Sequence, residues 1–184
     1  MTNIPFVGWP KIGRFERVFG RCIITEKLDG TNAHILIQDG EIKAIGSRKR
    51  WITPEKDNFG FANWVEQNKD DLLSLGEGHH FGEWYGSGIQ RTYGLKEKRW
   101  ALFNSRRWND ENPNTPKCCD VVKEIYSGPF SLELIPEIQN TLLENGSYNV
   151  PGWNTPEGFV VYLSEIDTMI KWTYEYQQGK WAEQ

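Results

Sequence analysis

The sequence predicts an α+β domain built on antiparallel sheet, and three observations carry that prediction. Two β-branched, apolar runs, Cys22–Leu28 and Ala33–Gln38, frame a DGTN turn. Asp39-Gly40 is a strong hairpin signal between the second run and a third, Glu41–Gly46. Beyond Asn58 the apolar spacing changes from alternation to steps of three and four, the period of a helix.

Taken in order, residues 1–20 hold Pro5, Gly8, Pro10, Gly13 and Gly20, and read as loop with a short ordered piece around Ile12–Phe19. The three runs above then form a meander, followed by Ser47-Arg48-Lys49-Arg50. Asn58 is placed to cap a helix through Phe61, Trp64 and Val65 to about Leu75, which Gly76 stops. Phe81–Tyr85 and Trp100–Phe103 read as short strands, and residues 104–117, with Pro113 and Pro116, as an exposed loop. Cys119–Tyr126 fits either strand or helix. Ile135–Leu143 suits a helix ended by Asn145-Gly146, and Gly158–Leu163 and Met169–Tyr176 are strands by composition.

The 184 residues fit one domain, residues 1–184, and no composition shift marks a linker. Hydrophobic residues make up 38%, with 9 Trp, 7 Tyr and 9 Phe, which favours a folded chain. A net charge of -4 argues against binding nucleic acid by bulk positive charge, but leaves room for a local basic groove. No apolar run is long enough to span a bilayer, so no membrane partner is expected. Three cysteines, two of them adjacent, make neither a disulfide framework nor a zinc site, and a cytoplasmic setting is the simplest.

The most informative stretch is Glu26-Lys27-Leu28-Asp29-Gly30-Thr31-Asn32. Alternation puts Lys27 and Asp29 on one face and Leu28 on the other, and Gly30 removes the side chain where the backbone turns. A lysine fixed there is either a nucleophile or a surface residue before a turn. Further polar clusters stand at strand ends: Ser47/Arg48, Gly82-Glu83, Glu157-Gly158 and Lys171, with Phe103 beside another. Together they describe a nucleotide pocket with an aromatic face for a base, carboxylates for sugar or metal, and cations for phosphates. Singly, Phe103 reads as core, Glu83 and Glu157 as rim carboxylates, and Asn32 as the end of a turn.

Lys27-Leu28-Asp29-Gly30-Thr31-Asn32 resembles the KxDGxN lysine motif of the covalent nucleotidyltransferases, and its Asn ending, with Glu26 before the lysine, resembles the ATP-dependent RNA ligases most. Gly82-Glu83-Trp84-Tyr85-Gly86-Ser87-Gly88-Ile89, Phe103-Asn104, Glu157-Gly158-Phe159-Val160-Val161 and Ile170-Lys171-Trp172 are similar to the family's later motifs, in the same order. The resemblance implies an ATP-grasp-like nucleotidyltransferase domain with antiparallel sheets and flanking helices. It implies ATP and Mg²⁺ or Mn²⁺ as cofactors. Lys27 would take AMP, pass it to a 5′-phosphate end, and let a 3′-hydroxyl displace it. By the same resemblance Glu26 lies near the adenine edge, Asp29 close to the nucleophile, and Asn32 at the sugar-phosphate region. Arg48 would touch the ribose or the incoming phosphate, Glu83 the ribose hydroxyls and, with Glu157, the metal. Phe103 would stack on adenine, and Lys171 would contact the α-phosphate.

The family's last motif has two lysines one residue apart, whereas here Lys171-Trp172 is followed by Thr173, so weaker activity or a non-catalytic binding module is an alternative. A DNA nick ligase or a GTP-using capping-type enzyme are others. No OB-fold or other C-terminal domain is expected after Trp172. A monomer is expected, with RNA ends, nicked duplex or DNA as partner, an accessory protein as one source of substrate binding, and a bacterial or phage-infected cell as setting. Lys43, Arg48, Lys49, Arg50 and Lys56, and Arg91, Lys96, Lys98, Arg99, Arg106 and Arg107, form basic patches interleaved with Trp51, Trp84, Tyr93, Trp100 and Trp108. These either bind nucleic acid or keep the surface soluble while the aromatics pack. His79-His80 reads as incidental, since adjacent strand residues face opposite ways.

Overall fold

In the computed structural model of the chain, the described residues are Pro5, Val7, Gly8 and residues 20–174. They divide into two compact units, and the chain passes between them at Leu28–Asp29 and Val121–Val122. The first crossing lies inside the KLDGTN stretch.

The unit of residues 29–121 carries a sheet of six strands in the order β4-β3-β2-β5-β6-β7. These are β2 (Thr31–Gln38), β3 (Glu41–Ser47), β4 (Trp51–Ile52), β5 (Gly78–Gly86), β6 (Lys98–Leu102) and β7 (Cys119–Val121). The Asp39-Gly40 hairpin forms, with both residues at positive φ as a tight turn requires. One face of the sheet, with Ala33, Ile35, Ile45, Trp84, Trp100 and Leu102, packs on Phe61, Val65, Leu72 and Leu75. The expected helix over that region is three short pieces, α1 (Phe61–Gln67), α2 (Lys69–Leu72) and a 3₁₀ turn Leu73–Leu75. Gly60, not Asn58, stands at its N-cap, and the first-turn N–H groups of Ala62 (2.8 Å) and Asn63 (3.1 Å) donate to the Asp57 carboxylate. Asn58 donates instead to Thr31 Oγ1 (3.1 Å). Gly76 ends the segment at φ 74°, as expected.

The unit whose described residues are 20–28 and 122–174 carries an all-antiparallel sheet in the order β10-β9-β1-β8. Its strands are β1 (Arg21–Lys27), β8 (Glu124–Pro129), β9 (Gly158–Leu163) and β10 (Thr168–Thr173). Helix α3 (Leu134–Asn145) buries Leu134, Ile138 and Leu142 against Ile24, Phe159, Val161 and Ile170. Gly146 ends it, as the sequence predicts.

The ambiguous stretch Cys119–Tyr126 belongs to two strands, β7 and β8, one in each unit. β7 pairs with β6 in parallel, the one departure from an antiparallel pattern among the described strands. The expected ordered piece at Ile12–Phe19 and the end of the last strand at Glu175–Tyr176 lie outside the described residues. No helix among the described residues is long and apolar enough to cross a membrane.

Candidate active site

In the four-stranded sheet, β1 ends on Lys27, whose register partner on β9 is Gly158, whose own partner on β10 is Thr173. One pleat along on the same face runs the row Thr25, Val160, Lys171. Because Glu157 comes immediately before the Gly158 partner, its side chain reaches Lys27: Nζ donates to Oε2 at 2.5 Å. Both side chains are mostly buried, so this pair is held more firmly than an exposed one. Lys171 is exposed. A chain of backbone pairing thus gathers Lys27, Glu157 and Lys171 from segments about 130 residues apart.

Glu26 lies on the opposite face of β1, in the row with Phe159 and Trp172. It is 1% exposed, and its carboxylate accepts the Asn149 N–H at 2.8 Å. Burial pushes its pKa up, against the pull of the Asn149, Ser147 and Tyr148 hydrogen-bonding groups. In this structure the Glu26 carboxylate fastens the 147–149 segment to β1 from the side away from Lys27.

In the six-stranded sheet the rest of the KLDGTN stretch is tied down residue by residue. Asp29 pairs with Arg91 at 3.0 Å, and its N–H donates to the Tyr93 hydroxyl at 2.7 Å. Gly30 N–H donates to Glu83 Oε1 (3.1 Å), and Asn32 Nδ2 donates to Glu83 Oε2 (2.8 Å). Asn32 and Glu83 are direct partners across β2 and β5, which explains the short reach. Gly30 lies so close to β5 that a Cβ there would stand 2.4 Å from the Trp84 carbonyl oxygen. Beyond Glu83 the register continues to Ala101 on β6, and Phe103, two residues on, shares that face. Phe103 follows the strand directly, its N–H bonded to the Phe81 carbonyl at 3.0 Å. On the other side of Asn32, Ser47 pairs with Ala33, so β3 delivers the exposed Arg48 at the same end of the sheet.

The residues singled out from sequence therefore fall into two groups, one per unit: Lys27, Glu157 and Lys171 in one, and Asp29, Asn32, Arg48, Glu83 and Phe103 in the other. They are continuous through the peptide linking Leu28 to Asp29.

Two residues gain roles the sequence did not suggest. Arg91 and Tyr93 were grouped with a substrate-binding patch, yet both hold Asp29. Their loop takes positive φ at Gln90, Thr92 and Tyr93, an uncommon backbone for side-chain-bearing residues, and no spacing rule reveals such a contact. Tyr93 stands edge-on to Tyr85, whose hydroxyl donates to Asp120 at 2.5 Å. Burial and the Asp120 carboxylate both push the Tyr85 hydroxyl far above its ordinary range, so it remains a donor.

Several members of the basic patches prove structural. Arg107 donates to the Leu75 carbonyl (2.8 Å) and covers the Trp108 ring, Arg99 pairs with Glu97, and Lys98 donates to the Phe59 carbonyl (2.8 Å). Trp84, Trp100 and Trp108 are core. Among the described residues no three His, Cys, Asp or Glu side chains converge as a metal cage. A divalent ion here would be held by one or two carboxylates together with phosphate oxygens and water, the usual manner of Mg²⁺. Both candidate carboxylates already accept hydrogen bonds, Glu157 from Lys27 and Glu83 from Gly30 and Asn32.

The RNA ligase family model matches residues 20–173. Among solved structures, Naegleria gruberi RNA ligase with PPi is similar at 19% identity and a TM-score of 0.60, over 90% of this chain and 52% of that one. A mutant of that ligase with ATP and Mn gives 19% identity and a TM-score of 0.58, over 86% of this chain and 51% of that one. An apo mutant gives 17% identity and a TM-score of 0.60, over 96% and 60%. The chain thus spans little more than half the length of these structures, and the likeness to them is one of fold. No curated protein matches it. With the family match covering nearly all the described residues, the chain belongs to the RNA ligase family.

Proposed function

We propose that the chain is an ATP-dependent RNA ligase that works through a covalent lysyl-AMP intermediate on Lys27. The observation that carries this reading is the KLDGTN stretch itself: each polar residue with a family role is anchored by a specific partner, Lys27 by Glu157, Asp29 by Arg91, and Asn32 by Glu83. Such anchoring orients a nucleophile and its surroundings before substrate arrives.

In the first step the Lys27 Nζ lone pair attacks the α-phosphorus of ATP. A P–N bond forms, the P–O bond to pyrophosphate breaks, and the amine gives up a proton. Nζ donates to Glu157 in this structure, so that contact must yield as the lone pair turns to phosphorus. A 5′-phosphate oxygen of RNA then attacks the same phosphorus and breaks the P–N bond, which regenerates the lysine. Finally a 3′-hydroxyl oxygen attacks the 5′-phosphate, and AMP leaves. Lys171, one pleat from Lys27 on the same face of its sheet, is the cation for charge developing on the α-phosphate. Glu83 and Asn32 are assigned to the ribose, Phe103 to the base, and Arg48 to a phosphate. A divalent cation held through Glu157 and the nucleotide's own oxygens would offset phosphate charge.

The wild-type chain incubated with α-labelled ATP and Mg²⁺ or Mn²⁺ is expected to become labelled, and Lys27→Ala is not. Wild type that stays unlabelled with either metal overturns the covalent mechanism.

A further inference from the structure

Cys118 and Cys119 lie where the chain turns into β7, the last strand on one side of the six-stranded sheet. Adjacent residues of a regular strand send their side chains to opposite faces. Cys118 stands in the turn just before the strand, and there the two Sγ atoms come within 3.9 Å of each other. The backbone that brings them together is tied at both residues. The Cys118 N–H donates to Asp71 Oδ2 (2.9 Å), and the Cys119 N–H donates to the Pro116 carbonyl (3.0 Å). Both thiols are free and half-buried, packed in part against the core of their unit. The third cysteine, Cys22, is 2% exposed and belongs to the other unit.

The separation selects what the pair can hold. Two sulfurs bonded to one central atom at about 2.3 Å stand roughly 3.4–3.8 Å apart, according to whether that atom is pyramidal or tetrahedral. A direct disulfide needs its sulfurs about 2.05 Å apart and its Cα atoms at least about 4.4 Å apart. Neighbouring Cα atoms are held about 3.8 Å apart by the peptide between them. A bridging atom therefore suits this pair better than a bond between the sulfurs. Zinc would require a full tetrahedron of ligands. No third His, Cys, Asp or Glu completes a cage among the described residues. The two neighbouring carboxylates are engaged, Asp71 by the Cys118 N–H and Asp120 by the Tyr85 hydroxyl.

We propose that Cys118 and Cys119 form a two-sulfur clasp for a thiophilic centre that takes two bonds from the protein, the class of the monosubstituted trivalent arsenicals. The assignment is independent of the ligase reading. With an arsine oxide, R–As=O, the Cys118 sulfur bonds to arsenic and its proton passes to the oxygen. The Cys119 sulfur then displaces that oxygen, which leaves as water with the second proton. Two As–S bonds replace two S–H bonds and the As=O bond, and arsenic stays trivalent. The hydrogen bond with Cys118, and burial, hold the Cys119 thiol far above its ordinary range, so Cys119 enters second and as a thiol.

The test adds phenylarsine oxide to the native full chain with about a hundredfold excess of a monothiol, which strips any adduct held by one sulfur. Intact mass is expected to show a single arsenical on each chain, and trypsin to place it on the peptide of residues 118–123. Cys118→Ser and Cys119→Ser are each expected to weaken binding about a hundredfold or more, and Cys22→Ala to leave it unchanged. The peptide assignment on wild type decides the matter if a variant does not fold. Neighbouring thiols also react in an unfolded chain, so the melting temperature reports whether the fold itself presents the clasp. Binding to the native geometry raises it by about 2–5 °C. The proposal is overturned by a wild type that takes no arsenical, or takes it only in denaturant or on Cys22. An adduct that fails to raise the melting temperature, or that persists in either serine variant, overturns it as well. So does zinc that binds as tightly as the arsenical, because that requires ligands beyond the two sulfurs.

Discussion

Gly30 shows how closely single residues constrain this site. Its backbone lies against β5, where an added methyl would meet the Trp84 carbonyl oxygen at 2.4 Å and the Tyr85 Cβ at 2.9 Å. Neither neighbour is the far end of a flexible side chain, so the turn itself has to move, and the Gly30 N–H bond to Glu83 goes with it. Gly30→Ala is expected to lower stability by about 1–3 kcal/mol and ATP labelling by about tenfold or more. Thermal unfolding and a labelling time course check the two effects separately. The sequence makes Gly30 conspicuous but names no neighbour for it. Arg91 is the converse case, a residue whose type suggested substrate and whose partner, Asp29, depends on a loop conformation that local propensity does not reveal.

Among the elements, legibility followed how much each owes to its own sequence. Gly158–Leu163 forms with the expected bounds because it is an unbroken run of β-branched, aromatic and other apolar residues after Gly158. The 61–75 segment kept its helical period but not its continuity, since Asn68, at φ -114° and ψ 16°, leaves helical geometry and starts the chain afresh. β7 could not be read at all: three residues gain strand character only from a parallel partner, β6, about twenty residues earlier. Sheet register also gives Thr173 a meaning. It stands on the row of Gly158 and Lys27, at the position that the motif resemblance assigns to a second lysine. Thr173→Lys adds a cation on the face of the nucleophile and is expected to raise RNA sealing severalfold, about three- to tenfold. A gel assay starting from pre-adenylylated RNA reads sealing apart from the first step, and an unchanged rate would show that this register position does not limit the chemistry.

For the molecule as a whole, the α+β class and the order of motifs were legible, while the division into two units was not. Each unit closes its own core, and of the two crossings among the described residues one falls at a strand end before a turn and the other inside Cys119–Tyr126, which fits either strand or helix. A molecule-wide property follows from the buried His34 on β2. Burial, and secondarily His79 nearby, lowers the His34 pKa from 6.5 to about 4. Between those values the unfolded chain binds more protons than the folded one, so stability is full above pH 6.5 and falls as pH drops toward 4. His80, lowered mainly by burial, adds to the same slope. The melting temperature is expected to fall between pH 7 and pH 5, and His34→Phe, which keeps a ring but cannot take a proton, should flatten part of that fall, worth about 2 kcal/mol. Equal slopes for the two proteins would remove His34 as the source.

The six-stranded sheet ends on one side in β4, of two residues, and on the other in β7, of three. Strands this short offer few open amide and carbonyl groups for a second molecule to extend. In the four-stranded sheet, β8 shifts register opposite Ile24 and Thr25 and finishes on Pro129, which has no N–H to give. Backbone pairing at either rim of the six-stranded sheet would therefore add only two or three residues of ladder, whereas β10, six residues long, leaves the four-stranded sheet its longer open rim.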